Sequence, residues 1–118
     1  MLSATLAADL AGDPSGLWKT FPGIFKIHSG SVADRAPAEG KDRKLTIHVD
    51  GTAARDIFAS IGPDVRPTCD GHSGSRERRR KGIYCSFDPE MVKAKNGPYR
   101  CWIGMDLVTG EAGTYVSC

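Results

Sequence analysis

Four cysteines, Cys69, Cys85, Cys101 and Cys118, stand 16, 16 and 17 residues apart. A thiol at such a spacing can ligate a metal as its thiolate or be oxidised. Cysteines that hold zinc come as close pairs, because a tight turn must aim two thiolates at one tetrahedral ion, and this chain has no such pair. The pattern is that of two disulfides, which persist in oxidising compartments. The expectation is a periplasmic or secreted protein with no metal site and no cofactor.

The second group able to do chemistry is Arg76-Glu77-Arg78-Arg79-Arg80-Lys81, five cations in six positions. The planar guanidinium fork suits carboxylates and phosphates. Arg76, Arg78, Arg79, Arg80 and Lys81 are therefore candidate binding residues for a protein partner with an acidic surface. Nucleic acid is the less suitable partner: the chain carries 14 acidic residues for a net charge of +2, and no stacking aromatic adjoins the run before Tyr84. The alternative is a solvated strand edge whose charge discourages edge-to-edge pairing.

Catalytic patterns are weaker. Gly71-His72-Ser73-Gly74-Ser75 has Ser75 where Gly-x-Ser-x-Gly needs its second glycine, and it precedes a strand instead of joining a strand to a helix. His28, His48 and His72 share no metal-ligand spacing, and His28 and His48 read as surface residues at strand positions. No phosphate loop, paired-carboxylate or cofactor fingerprint occurs. The reading is a binding protein with no catalytic residues. The alternative is a small hydrolase, with Asp70, His72 and Ser73 as its clustered polar groups, or a cell-envelope binding module using the 69–81 loop.

These groups need a scaffold. A chain of 118 residues buries roughly two-thirds of its unfolded surface, enough for one core, so residues 1–118 form a single domain with residues 1–16 as a flexible N-terminal segment. Residues 1–11 lack the basic and apolar regions of an export signal; the expectation is that a signal was removed and Met1 added during expression. No run reaches the 18 apolar residues of a membrane span.

Residues 23–28 give an apolar strand, and 44–49 a second in which Leu45, Ile47 and Val49 alternate with Thr46 and His48. Ala53, Ala54, Ile57, Phe58 and Ile61 recur at helical spacing, after a cap at Asp50 or Thr52 and before Gly62-Pro63, where glycine would take the left-handed C-terminal position. Residues 80–88, 99–108 and 111–118 read as an antiparallel meander whose last turn is Thr109-Gly110. The fold class is α+β: a mostly antiparallel sheet of about five strands, stapled by disulfides, with one helix on one face.

A two-residue turn at Thr109-Gly110 would set Val108 opposite Glu111 and, counting outward, Cys101 opposite Cys118 in a pair close enough to bridge. The preferred connectivity is therefore Cys101 with Cys118 and Cys69 with Cys85, although Cys85 could instead face Cys101 across the preceding hairpin. Tyr84, Arg100 and Trp102 fall on the face opposite the cysteines, and these are residue types that dominate interfaces. That face is a second candidate binding surface unless another layer, such as the segment with Trp18 and Phe21, covers it. In size, export and disulfide count the chain resembles small periplasmic binding proteins such as lysozyme inhibitors and immunity proteins, a likeness of class that no motif carries. The function expected is that of an inhibitor or immunity-type protein acting by protein–protein interaction.

Overall fold

The structure, a computed structural model, describes residues 15–34, 36–68 and 73–116. The two alternating segments form β1 (Gly23–His28) and β2 (Lys44–Asp50), helix α1 (Gly51–Ser60) follows directly, and β3 (Arg76–Arg80), β4 (Ile83–Phe87) and β5 (Tyr99–Asp106) complete one sheet. Strand order is β1-β2-β5-β4-β3, every neighbour antiparallel. The last strand is thus inserted at the centre, and the sheet closes only when β5 arrives between β2 and β4. This is the disulfide-stapled α+β fold that periodicity implies.

Register sorts the side chains. Gly23, Val49, Cys101, Cys85 and Arg78 form one row across all five strands on the helix side. Ile24, His48, Trp102, Tyr84 and Arg79 form the adjacent row, on the outer face. Helix α1 lays Ala54 and Phe58 onto Val49, Cys85 and Cys101, with Ile47, Ile57, Ile61, Ile83, Phe87, Tyr99 and Ile103 around them. A ten-residue helix is marginal alone, so this apolar stripe is what fixes it.

Both ends of α1 differ in detail from expectation. Asp50 occupies the N-cap position without a side-chain cap bond, and Gly51 at φ +65° takes the positive dihedral, donating its N–H to Asn96 O at 2.9 Å. At the other end Ile61 is the C-cap with φ −108°. Gly62 serves by its lack of a side chain, since a Cβ there would lie 2.9 Å from Arg78 Nη1.

The preferred disulfide connectivity is corrected. Cys85 bonds Cys101 directly across the β4–β5 ladder, with Cα atoms 4.1 Å apart; Cys69 and Cys118 lie outside the described residues. The cause is the turn after β5. Asp106 accepts from Val108 N at 2.8 Å and Thr109 N at 3.1 Å, and Gly110, at φ +79°, donates to Asp106 O. The loop therefore takes residues 107–110, Met105 faces Ala112, and no regular strand follows among the described residues. Relative to the expected register the return is displaced by two residues. The meander is instead β3-β4-β5, with the arginine run as its first strand.

Candidate functional site

Strand β3 carries long cationic side chains on both faces, and residues 58–68 of the same chain supply most of their acceptors. On the helix side Arg76 reaches Asp64 with Nε at 2.7 Å and Nη2 at 3.0 Å, and Arg78 Nε meets the same carboxylate at 2.7 Å. These two guanidinium groups, Arg76 first, hold the Asp64 carboxyl at about 2, well below its ordinary value. Arg78 Nη1 also donates to Phe58 O at 2.7 Å, near the end of α1, and lies 4.3 Å above the Phe58 ring. Arg80 donates to Gly62 O and Arg79 O. On the outer face Arg79 contacts Thr68 Oγ1 at 2.8 Å, Glu77 at 3.5 Å and the Tyr84 ring at 4.2 Å. The run therefore pins residues 58–68 to the sheet edge, while Arg80 and Lys81 are exposed at the β3–β4 turn.

Glu77, which the charge pattern does not single out, is the centre of this arrangement. Its carboxylate has no solvent exposure. It accepts from Tyr84 Oη at 3.0 Å, Thr68 N at 3.1 Å and Thr68 Oγ1 at 3.3 Å. A lone acid inside a cationic strand, on the same face as Arg79 and Tyr84, was the available signal. A buried charge persists only when paired and hydrogen-bonded.

The three residues expected on the outer face do share it, with unequal exposure. Tyr84 is only 3% exposed, held between Glu77, Arg79 and Trp102, the last with ring centroids 5.3 Å apart. Trp102 is half-buried and meets His48 edge-on at 5.1 Å. Arg100 is exposed and has no ion-pair partner among the described residues. Burial pushes the His48 imidazole below its ordinary value, an effect that Arg100 adds to and Asp50 opposes.

The layer over this face is not Trp18 and Phe21, which are 58% and 50% exposed. Part of it is the C-terminal segment: Gly113 N donates to Gly104 O at 3.1 Å, and Tyr115 O accepts from Val32 N at 3.0 Å. Gly104 is required for this approach, since a Cβ there would stand 2.2 Å from Gly113 O. Beneath Tyr115 lies His28, and its expected surface position is corrected. It is fully buried, with Nε2 2.8 Å from Thr46 Oγ1 and its ring edge-on to Tyr115 at 5.8 Å. The C-terminal segment folds back over β1 and β2, which local periodicity does not encode.

Between the covered zones a cleft of about 300 Å³ stays open, lined by Ile24, Phe25, Lys26, Val32, Thr46, His48 and Trp102. Its walls are mostly apolar, with Lys26, Thr46 and His48 as polar residues, the composition of a site that receives an apolar or aromatic group and orients it. Ser73 is exposed; Asp70 and His72 lie outside the described residues. Among the described residues no three His, Cys, Asp or Glu side chains converge as metal ligands, and no helix is long and apolar enough to cross a membrane. No protein-family model, curated protein or solved structure matches the chain.

Proposed function

We propose that the chain is a small periplasmic or secreted binding protein, of inhibitor or immunity type, that holds a protein partner on the outer face of its sheet. The observation that carries this is the cleft beside Trp102 and His48. A half-buried tryptophan backed by Tyr84 and Arg79 is a rigid anchor, and desolvated pockets with Trp, Tyr and Arg concentrate binding energy. A stapled sheet also loses little freedom when it associates. Export is supported by the Cys85–Cys101 disulfide. An acidic partner surface suits Arg100 beside the cleft, which has no ion-pair partner among the described residues, and Lys81 at the sheet's far turn.

The test is quantitative capture from a periplasmic or secreted fraction, followed by titration of the recovered partner. Trp102→Ala should weaken binding at least tenfold. Arg100→Ser should lower the association rate and flatten its salt dependence. Equal retention by wild type and Trp102→Ala, or turnover of cell-wall or peptide substrates with no partner recovered, overturns the reading.

A further inference from the structure

The sheet treats its two edges differently. The outer edge of β3 is occupied: Val65 N donates to Glu77 O at 2.8 Å, and the arginines fasten that covering segment. The outer edge of β1 is bare. Among the described residues Gly23–His28 makes no backbone hydrogen bond outside its ladder with β2. Natural edges are usually protected by a bulge, a proline or a charged side chain pointing out. β1 has one cation, Lys26, and it is turned away from that duty: its Nζ donates to Val32 O at 2.7 Å and Asp34 O at 2.6 Å.

Apolar exposure gathers at the same place. Among the described residues ten large hydrophobic side chains are exposed, and six of them, Leu17, Trp18, Phe21, Ile24, Phe25 and Ile27, lie in or just before β1, with Ile24 and Phe25 each 71% exposed. With a whole aromatic side chain at about 150 to 250 Å², these six offer on the order of 700 Å², close to the ~800 Å² each partner brings to a standard interface.

We propose that β1 pairs antiparallel with β1 of a second copy, joining two sheets into one of ten strands. A two-fold axis normal to the sheet keeps each face on its own side, so the axis must pass through a residue position, and the strand's length leaves Phe25 or Lys26 as the centre. Lys26 would place like charges directly opposite, which is unfavourable. Centring on Phe25 sets Phe25 against Phe25, Gly23 against Ile27 and Ile24 against Lys26. The first two pairs fall on the helix side, beside Leu45 and Ile47. Gly23 fits this register: a Cβ there would lie 2.5 Å from the Phe21 ring, so that ring lies against the glycine and can receive Ile27 of the other copy. Because β3 is covered, pairing consumes the one edge left open among the described residues and closes as a dimer instead of growing into a fibre. The two clefts would then open on the same side, with the two Trp102 rings about 24 Å apart at five strand spacings of ~4.8 Å.

Sedimentation equilibrium of the oxidised protein across a concentration series tests this. The wild type should reach twice 12.7 kDa by roughly 100 µM. Phe25→Lys should stay at one protomer mass with an unchanged far-ultraviolet spectrum. Register is read separately: Phe25→Cys should crosslink to itself across the axis under mild oxidation, and Lys26→Cys should not. A folded wild type that remains monomeric throughout, a Phe25→Lys variant that still dimerises, or crosslinking at position 26 in preference to 25 overturns the proposal. Ile24, Phe25 and Lys26 line both cleft and seam, but Trp102 lies only at the cleft, so Trp102→Ala should leave the mass unchanged and the two readings are tested apart.

Discussion

Tyr84 donates a 3.0 Å hydrogen bond to Glu77, a carboxylate fully removed from solvent within a strand that is otherwise all arginine. The cationic strand is organised around an internal anion, and that explains why so much charge can pack against a sheet edge.

Removing the anion should therefore cost more than removing any one arginine. Glu77→Ala leaves Arg79 and Tyr84 without their common acceptor, a loss of about 3 kcal/mol on the scale of broken buried charge pairs. Tyr84→Phe, which deletes only the donor, should cost about 2 kcal/mol. The double variant should lose less than the sum, because both act through one contact. Urea unfolding of the four proteins measures the coupling; strict additivity would mean that the two groups do not support each other.

Peptide mapping of unreduced protein should recover Cys85 and Cys101 in one crosslinked pair. Replacing Cys85 and Cys101 together by serine opens a 16-residue loop, a loss of about 3 kcal/mol in the loop-entropy picture. Thermal unfolding checks it, and recovery of Cys69 linked to Cys85 would contradict the bond described.

Asp64 sets the acid limit of the loop clamp. Its folded carboxyl sits at about 2 against an ordinary 3.8, so the folded state binds fewer protons than the unfolded state between those values. Stability from this group is complete above pH ~4 and fades as the pH falls towards 2. The side chain is 41% exposed, so screening limits the contribution to about 1 kcal/mol. Asp64→Asn should remove it at neutral pH and leave a flatter acid limb in the curve of unfolding free energy against pH.

His48 gives a second pH signature, of the same sign and at higher pH. Burial depresses its folded value below the ordinary 6.5, so the unfolded state takes up a proton first and stability declines as the pH drops through that region. Proton-resolved NMR of the imidazole should place its midpoint below 6.5, and the Trp102 ring edge-on to it should shift in step. An imidazole titrating above 6.5 would contradict this.

The sheet and helix were legible because their signals are local. Leu45, Ile47 and Val49 alternate, and Ala54 and Phe58 repeat at helical spacing, so period alone gives the elements and the face each buries. β3 was not legible as a strand because its alternation is between arginine and arginine; the information lies in Glu77, whose partners Thr68 and Tyr84 come from other segments. The disulfide depended on a turn decided by the Asp106 carboxylate and not by Gly110 alone. For His28, burial arises from Tyr115, 87 residues later in the chain. The face shared by Tyr84, Arg100 and Trp102 followed from strand parity, but the cleft beside Trp102 required knowing that β1 lies next to β2 and that residues 31–34 fold over it.

Helix α1 rests on β5, β2 and β4, leaving β1 joined to the molecule chiefly by its ladder with β2. A native fold opens in cooperative units of unequal free energy, and here the hierarchy is written in the position of one helix. Amide protons of β5, clasped between two strands, under the helix and tied by Cys101, should exchange only through global unfolding. Those of β1 that bond to β2 should exchange orders of magnitude sooner, through peeling of a single strand that leaves the remaining four intact.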